Sequence, residues 1–173
     1  MSRVPAAAHA DGEPARTALE LRTLQDFRII FGSARAYDVT VRRITGISGS
    51  QLWALSEIAR AAGISVNALS RRMAVHQTTA SNLVNALLRR GLIRRMRDGA
   101  DQRIARLHLA TEGRRVIRLA PRPHAGLLID SLRHLDDAQI AQLRDGLGVL
   151  IAILRRTATR TAARTMIDRK SVV

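Results

Sequence analysis

The residues most suited to chemistry lie close together. Between residues 77 and 87 the chain reads Gln77-Thr78-Thr79-Ala80-Ser81-Asn82-Leu83-Val84-Asn85-Ala86-Leu87. Ala80, Leu83, Val84 and Leu87 recur at helical spacing, so they face inward. Gln77, Thr78, Thr79, Ser81, Asn82 and Asn85 then lie on the outer side, near the start of the helix. A generic surface helix would carry Glu and Lys there, whereas these side chains are short, uncharged donors and acceptors. Asn and Gln can pair bidentately with adenine, and a threonine methyl can touch the thymine methyl, so the chemistry is the reading of base edges in a major groove. Just downstream, Arg94, Arg95, Arg97, Arg103 and Arg106 crowd together, with Asp98 and Asp101 the only acids among them. Arginine suits phosphate contacts and narrow minor grooves. Asp101 can hold Arg103 by an ion pair and order a loop tip. Each feature alone has a plain alternative, an ordinary polar helix face or a solvated basic hairpin; their adjacency favours the nucleic-acid reading.

Other chemistries find little support. His9, His76, His108, His124 and His134 show no metal-ligand spacing, so no metal and no cofactor are expected. The chain has no cysteine, which excludes disulfides and thiolate switches. Gly46-Ile47-Ser48-Gly49-Ser50 falls short of a nucleophile elbow because its fifth residue is serine. No glycine-rich phosphate loop appears. The formal net charge of +15 comes almost entirely from arginine, Lys170 being the only lysine, and favours a polyanionic partner. The plain alternative is a composition bias towards arginine in the source genome. Aromatic residues make up 2% of the chain, so the core must be aliphatic. No apolar run approaches the roughly 20 residues that span a bilayer, and a cytoplasmic protein without membrane contact is expected.

The surrounding pattern supplies elements to position these groups. Residues 1–16 read as a disordered leader. From Thr17 to about Arg43, Leu24, Phe27, Phe31 and Ala34 line one face of a helix. Ser50 is a plausible N-cap for a second helix with Leu52, Leu55, Ile58 and Ala59 inward. Ser65 can cap a short third helix bearing Val66, Leu69 and Met73, and Ala74-Val75 leads tightly into the helix from Gln77 to about Arg90. Gly91 sits where a left-handed C-cap residue belongs. Residues 92–97 and the alternating Ala105-Arg106-Leu107-His108-Leu109 form a hairpin around the Asp98-Gly99 turn. Thr111 can cap the next helix, which Pro121 and Pro123 interrupt. The last helix opens on a capping box, Asp136 with Gln139, and carries Ile140, Leu143, Leu147, Leu150 and Leu154 on one face.

Two helices joined by a short turn, followed by a basic hairpin, make a winged helix-turn-helix. Five pieces in order carry a more specific resemblance. They are Ile64 to Met73, Gln77 to Leu87, Arg90-Gly91-Leu92-Ile93-Arg94-Arg95, Asp101-Gln102-Arg103, and Leu109-Ala110-Thr111-Glu112-Gly113. Together they resemble the MarR (multiple antibiotic resistance regulator) family, best over residues 50–115. The resemblance implies a homodimer whose terminal helices interlock while two winged domains grip a palindrome in double-stranded DNA. It places Arg103 at the wing tip with Asp101 orienting it. It also implies a small aromatic or amphipathic effector, for which Phe31, Tyr37 and Trp53 are candidate pocket residues, against the simpler reading of all three as core. Two departures stand out: Ala74 replaces a common turn glycine, and Pro121 and Pro123 break a helix that is continuous in many members.

The expected architecture is therefore mainly α with a small β-hairpin wing. It comprises the leader (1–16), an N-terminal dimerisation helix (17–47), the winged domain (48–112), C-terminal dimerisation helices (113–157) and a flexible basic tail (158–173). The expected function is sequence-specific transcriptional regulation, most often repression released by an effector, and not catalysis. The competing readings are a nonspecific architectural DNA binder, which the neutral polar helix face disfavours, and an enzyme with a winged lobe, for which the chain has no nucleotide-binding domain.

Overall fold

The computed structural model describes residues 12–97 and 105–170, and side chains over 13–96 and 106–158. The elements run α1 (Gly12–Thr45), α2 (Gly49–Arg60), α3 (Val66–Arg72), α4 (Gln77–Arg89), β1 (Ile93–Arg97), β2 (Ala105–Leu109), α5 (Thr111–Leu119), α6 (Leu127–Leu132) and α7 (Asp137–Lys170). The chain divides into two units within α6, one ending at Asp130 and one beginning at Ser131.

The core of the first unit is aliphatic, as the composition requires. Leu52, Leu55 and Ile58 of α2, Leu69 of α3, Val84 and Leu87 of α4 and Leu107 of β2 are completely buried. Ala54 joins them, whereas Ala59, expected inward, is exposed. Val41 and Ile47 bring the end of α1 into the same cluster, and Val116 brings in α5. Burying a side chain of this size contributes roughly 1.5–3 kcal/mol, so this cluster holds the three helices and the hairpin as one body.

Local signals set the element ends. Ser48, not Ser50, caps α2: its hydroxyl accepts from the Gln51 backbone N–H while the Gln51 side chain accepts from the Ser48 N–H. Ser65 caps α3 by accepting from the Ala68 N–H. Ala110, not Thr111, occupies the cap position of α5, and it has no side chain with which to cap. In the second unit, Asp136 and Gln139 form the reciprocal capping box at the start of α7. Two helices are longer than their apolar patterns suggested. α1 begins at Gly12, inside the expected leader, and α7 continues to Lys170, through most of the expected tail.

The two turns that frame α4 are built alike. After α4, the Leu92 N–H donates to the Leu87 carbonyl and the Gly91 N–H to the Leu88 carbonyl. Gly91, at φ 65°, turns the chain left-handed between them. After α3, the Val75 N–H donates to the Ser70 carbonyl and the Ala74 N–H to the Arg71 carbonyl. The left-handed position there falls on Ala74, at φ 51°. The helix-turn-helix turn thus keeps the glycine geometry without the glycine. A left-handed residue with a Cβ costs about 1–2 kcal/mol, partly offset by the smaller chain entropy of alanine when unfolded. Ala74→Gly should therefore raise stability by roughly 0.5–1 kcal/mol. Urea denaturation checks this, and a less stable variant would contradict the strain.

β1 and β2 pair antiparallel with Arg95 opposite Leu107 and Met96 opposite Arg106. An additional bridge ties Ile64, ahead of α3, to Leu107, with the Gly63 N–H donating to the Leu107 carbonyl. The hairpin is therefore hydrogen-bonded directly to the helix-turn-helix that it follows.

Candidate nucleic-acid interface

α4 presents its polar residues largely as the spacing demands. Ala80, Val84 and Leu87 are buried, while Gln77, Thr78, Thr79, Asn82 and Asn85 are exposed and Ser81 is half-buried. On a 3.6-residue repeat, Thr78, Ser81, Asn82 and Asn85 form one stripe opposite the core, with Gln77 and Thr79 flanking it. His76 makes no side-chain cap bond at the start of α4. The helix start carries a positive partial charge and N–H groups that lack intrahelical partners.

The arginines of the hairpin divide by strand alternation. Ile93, Arg95, Leu107 and Leu109 share the face turned to the core; Arg94, Met96, Arg106 and His108 share the other. Arg94 is exposed there, as is Met96 at 56%. Arg106 is half-buried, and its Nη1 donates to the Gly63 carbonyl at 3.3 Å, so it braces the hairpin against the end of α2. Arg95 starts from the core face yet stays exposed, because its guanidinium runs out over α4, where Nη2 donates to Asn85 Oδ1 at 3.1 Å. The side chain of Arg97, and Asp101 and Arg103 altogether, lie outside the described residues.

Behind the helix-turn-helix, α2 and α3 are fastened by a carboxylate. Glu57, whose side chain is 7% exposed, accepts from Arg60 and from Arg72, each at 3.1 Å. Buried carboxylates are tolerated when paired and hydrogen-bonded in this way.

A separate cleft of about 210 Å³ opens beside α1 and α2, lined by Ala34, Tyr37, Asp38, Trp53, Leu127 and Leu128 among others. Of the three aromatic residues singled out in the sequence, Tyr37 and Trp53 both line it. Phe31 does not: it is 68% exposed and stacks on Phe27, with ring centroids 6.1 Å apart. The Tyr37 hydroxyl donates to the carbonyls of Pro121 and Pro123, pinning the loop that follows α5. Burial raises the Tyr37 pKa and keeps that donor protonated. Asp38, which sequence reasoning missed, accepts from the Gly49 N–H at 2.7 Å and from Arg42 at 2.7 Å. The Arg42 hydrogen bond holds its carboxyl below the usual range. This tie of α1 to α2 persists above ordinary carboxylate pKa values and is lost as pH falls through the lowered one. The Asp38/Arg42 spacing of four was visible, but nothing local announced the contact with Gly49. His124, on the same loop, is held below its usual pKa by burial and by Arg122.

Residues 45–104, the stretch that carries α2, α3, α4 and β1, match the sequence model of the MarR family. Over this stretch the chain is similar to the MarR family. A curated relative, the uncharacterized HTH-type transcriptional regulator YsmB of Bacillus subtilis, is 30% identical over 78 residues. The match covers 45% of this chain and 53% of that protein, so the chain spans about half the length of the curated relative. Among solved structures, Streptococcus pneumoniae FabT in complex with DNA is similar with a TM-score of 0.52 at 26% identity, over 79% of this chain and 98% of FabT. The S. aureus MepR–DNA complex shares the fold, with a TM-score of 0.52 at 20% identity over 74% of this chain and 93% of MepR. The fold class is the MarR winged helix: mainly helical, with a two-stranded antiparallel wing. Among the described residues, no helix is long and apolar enough to cross a membrane, and no group of His, Asp or Glu could hold a metal ion.

Proposed function

We propose that this chain is a MarR-family regulator: a homodimeric, sequence-specific DNA-binding transcriptional regulator, a repressor released by a small-molecule effector. The observation that carries the reading is the stripe of neutral hydrogen-bonding side chains on α4, held by a fully aliphatic inner face and flanked by an arginine-bearing wing. Such a helix fits a major groove by its first turns, while arginine supplies backbone contacts. FabT and MepR, similar in fold, have each been captured on DNA.

Asn82, exposed one turn beyond Thr78, is the proposed base reader, with Thr79 and Ser81 beside it. Selecting bound duplexes from randomised DNA tests the function directly: enrichment of a two-fold-symmetric site is expected. A pool that stays random after selection would leave only an architectural role. In the same assay Asn82→Ala should lose preference at particular base pairs, by about 1–3 kcal/mol for each bidentate pairing it abolishes. An unchanged preference profile would remove Asn82 from the set of readers.

The dimer rests on unpartnered apolar surface. From Glu13 to Ala36 every residue of α1 except Phe27 is exposed, Leu24, Ile30 and Phe31 among them. Between Asp137 and Thr157, α7 exposes all but Leu147. Contiguous apolar surface on this scale marks an interface. Release by an effector rests on the cleft beside Tyr37 and Trp53, which combines aromatic faces with a few polar groups.

A further inference from the structure

Asn85 has the side chain of a base reader and lies on the base-reading stripe, yet its geometry gives it other work. A carboxamide reads adenine by accepting from the N6 amino group while donating to N7, so both of its ends must be turned to the base edge. Asn85 Oδ1 already accepts a hydrogen bond from Arg95 Nη2 at 3.1 Å. The donor is a guanidinium, which cannot accept, so the oxygen and not the nitrogen of the amide must face it. Asn85 is also in the third turn of α4, about 12 Å along the axis from Gln77, whereas recognition helices read with their N-terminal residues.

The Arg95 side of the contact is equally specific. Arg95 stands opposite the fully buried Leu107, on the hairpin face turned to the core, while its neighbour Arg94 stands on the opposite face. From that origin its guanidinium reaches α4, where Asn85 receives it. The fork has further N–H groups on its outer edge, and guanidinium is suited to phosphate oxygens.

We propose that Asn85 is a positioning residue that fixes the Arg95 guanidinium at the seam between recognition helix and wing, so that Arg95 meets the phosphodiester backbone, and that Asn85 reads no base. The inference rests on the DNA-binding function proposed above. It converts one member of the α4 stripe from a specificity determinant into a link that sets the angle between helix and wing.

The test uses the full chain, a pool of randomised duplex DNA, and the variants Asn85→Ala, Arg95→Ala and the double variant. Both side chains are exposed, so the fold should be retained, and thermal melting of each variant verifies it. Asn85→Ala should enrich the same sequences as wild type. It should weaken binding to the best enriched duplex and to a scrambled duplex by the same factor, about threefold. Arg95→Ala should act in the same direction and lower the salt slope by about 1 for each phosphate that it leaves without a cation. In the Arg95→Ala background, Asn85→Ala should add almost nothing, since a residue that acts through another shows its coupling as non-additivity.

A shifted base preference for Asn85→Ala, full additivity of the two substitutions, or wild-type affinity of Asn85→Ala for both duplexes would each overturn the proposal while leaving the DNA-binding function standing. A wild-type protein that enriches no sequence would remove the function, and this inference with it.

Discussion

Replacing Gly113 with alanine should destabilise the winged domain by about 3 kcal/mol, as forced overpacking against fixed atoms does. A Cβ on Gly113 would sit 2.1 Å from the Leu92 carbonyl oxygen and 3.1 Å from its carbon. Neither atom can yield easily. Leu92 is buried, its N–H closes the turn after α4, and its carbonyl accepts the Ala110 N–H at 3.0 Å. α5 would have to lift away from the start of β1, taking the buried Val116 with it. Urea denaturation followed by circular dichroism gives the value. A variant within about 0.5 kcal/mol of wild type, the range of a neutral surface change, would mean that α5 slides freely over Leu92.

Introducing Leu147→Glu and Leu150→Glu together should abolish the proposed dimer. Leu147 and Leu150 follow one another at a spacing of three on a face that also carries Ile140, Leu143 and Leu154. Leu150 is 36% exposed and Leu154 58% in the single chain. Two like charges from each subunit would be brought into an apolar contact, where an unpaired carboxylate costs several kcal/mol. The core cluster around Leu52 and Leu87 takes no described residue from α7, so the helix-turn-helix should keep its fold while the assembly falls apart. Light scattering at micromolar concentration reads the outcome. A wild-type mass of one chain, or a double variant that stays dimeric, would defeat the reading. DNA affinity should fall with the dimer, because two half-sites would no longer be bound by one particle.

Much of the fold was legible because its signals are local. The apolar spacing of α4, the left-handed turn at Gly91 and the Asp136/Gln139 box each depend on residues within one or two turns. Where two local signals competed, sequence reading could choose wrongly. Ser48 and Ser50 both precede the apolar run of α2, and Ser50 lies nearer to it, but only Ser48 has Gln51 three residues on. Thr111 looked like a cap, yet the chain needed Gly113 inside the helix against Leu92, and the helix starts at Thr111 itself. α1 and α7 extend past their obvious apolar patterns, into residues 12–16 and 158–170, where no apolar stripe marks the helix.

The candidate site was legible in composition and less so in geometry. Strand alternation separates Arg94 from Arg95 and could have been read from the sequence. That Arg95 turns back to Asn85, that Arg106 braces Gly63, and that Tyr37 pins a proline loop are contacts across 10, 43 and 84 or more residues. No local periodicity encodes them. The Ala74 turn makes the opposite point. Its residue type argued against a left-handed conformation, and the hydrogen bonds of the turn together with core packing prevailed over that preference.

The fastening of Asp38 to Gly49 makes α1 a lever. The helix is 34 residues long, and its residues 13–36 are all exposed except Phe27. The free arm from Gly12 to Tyr37 is then about 38 Å long at 1.5 Å per residue. A tilt of about 5° at the fulcrum moves the far end by roughly 3 Å over that length. Run backwards, a displacement of a few ångströms at Leu24 or Phe31 arrives as a small rotation, carried to the first turn of α2 by the Asp38 carboxylate and to the loop after α5 by the Tyr37 hydroxyl. α2 packs directly on α4, so the stiffness of the Asp38–Gly49 hydrogen bond contributes to how faithfully torque on the arm reaches the proposed recognition helix.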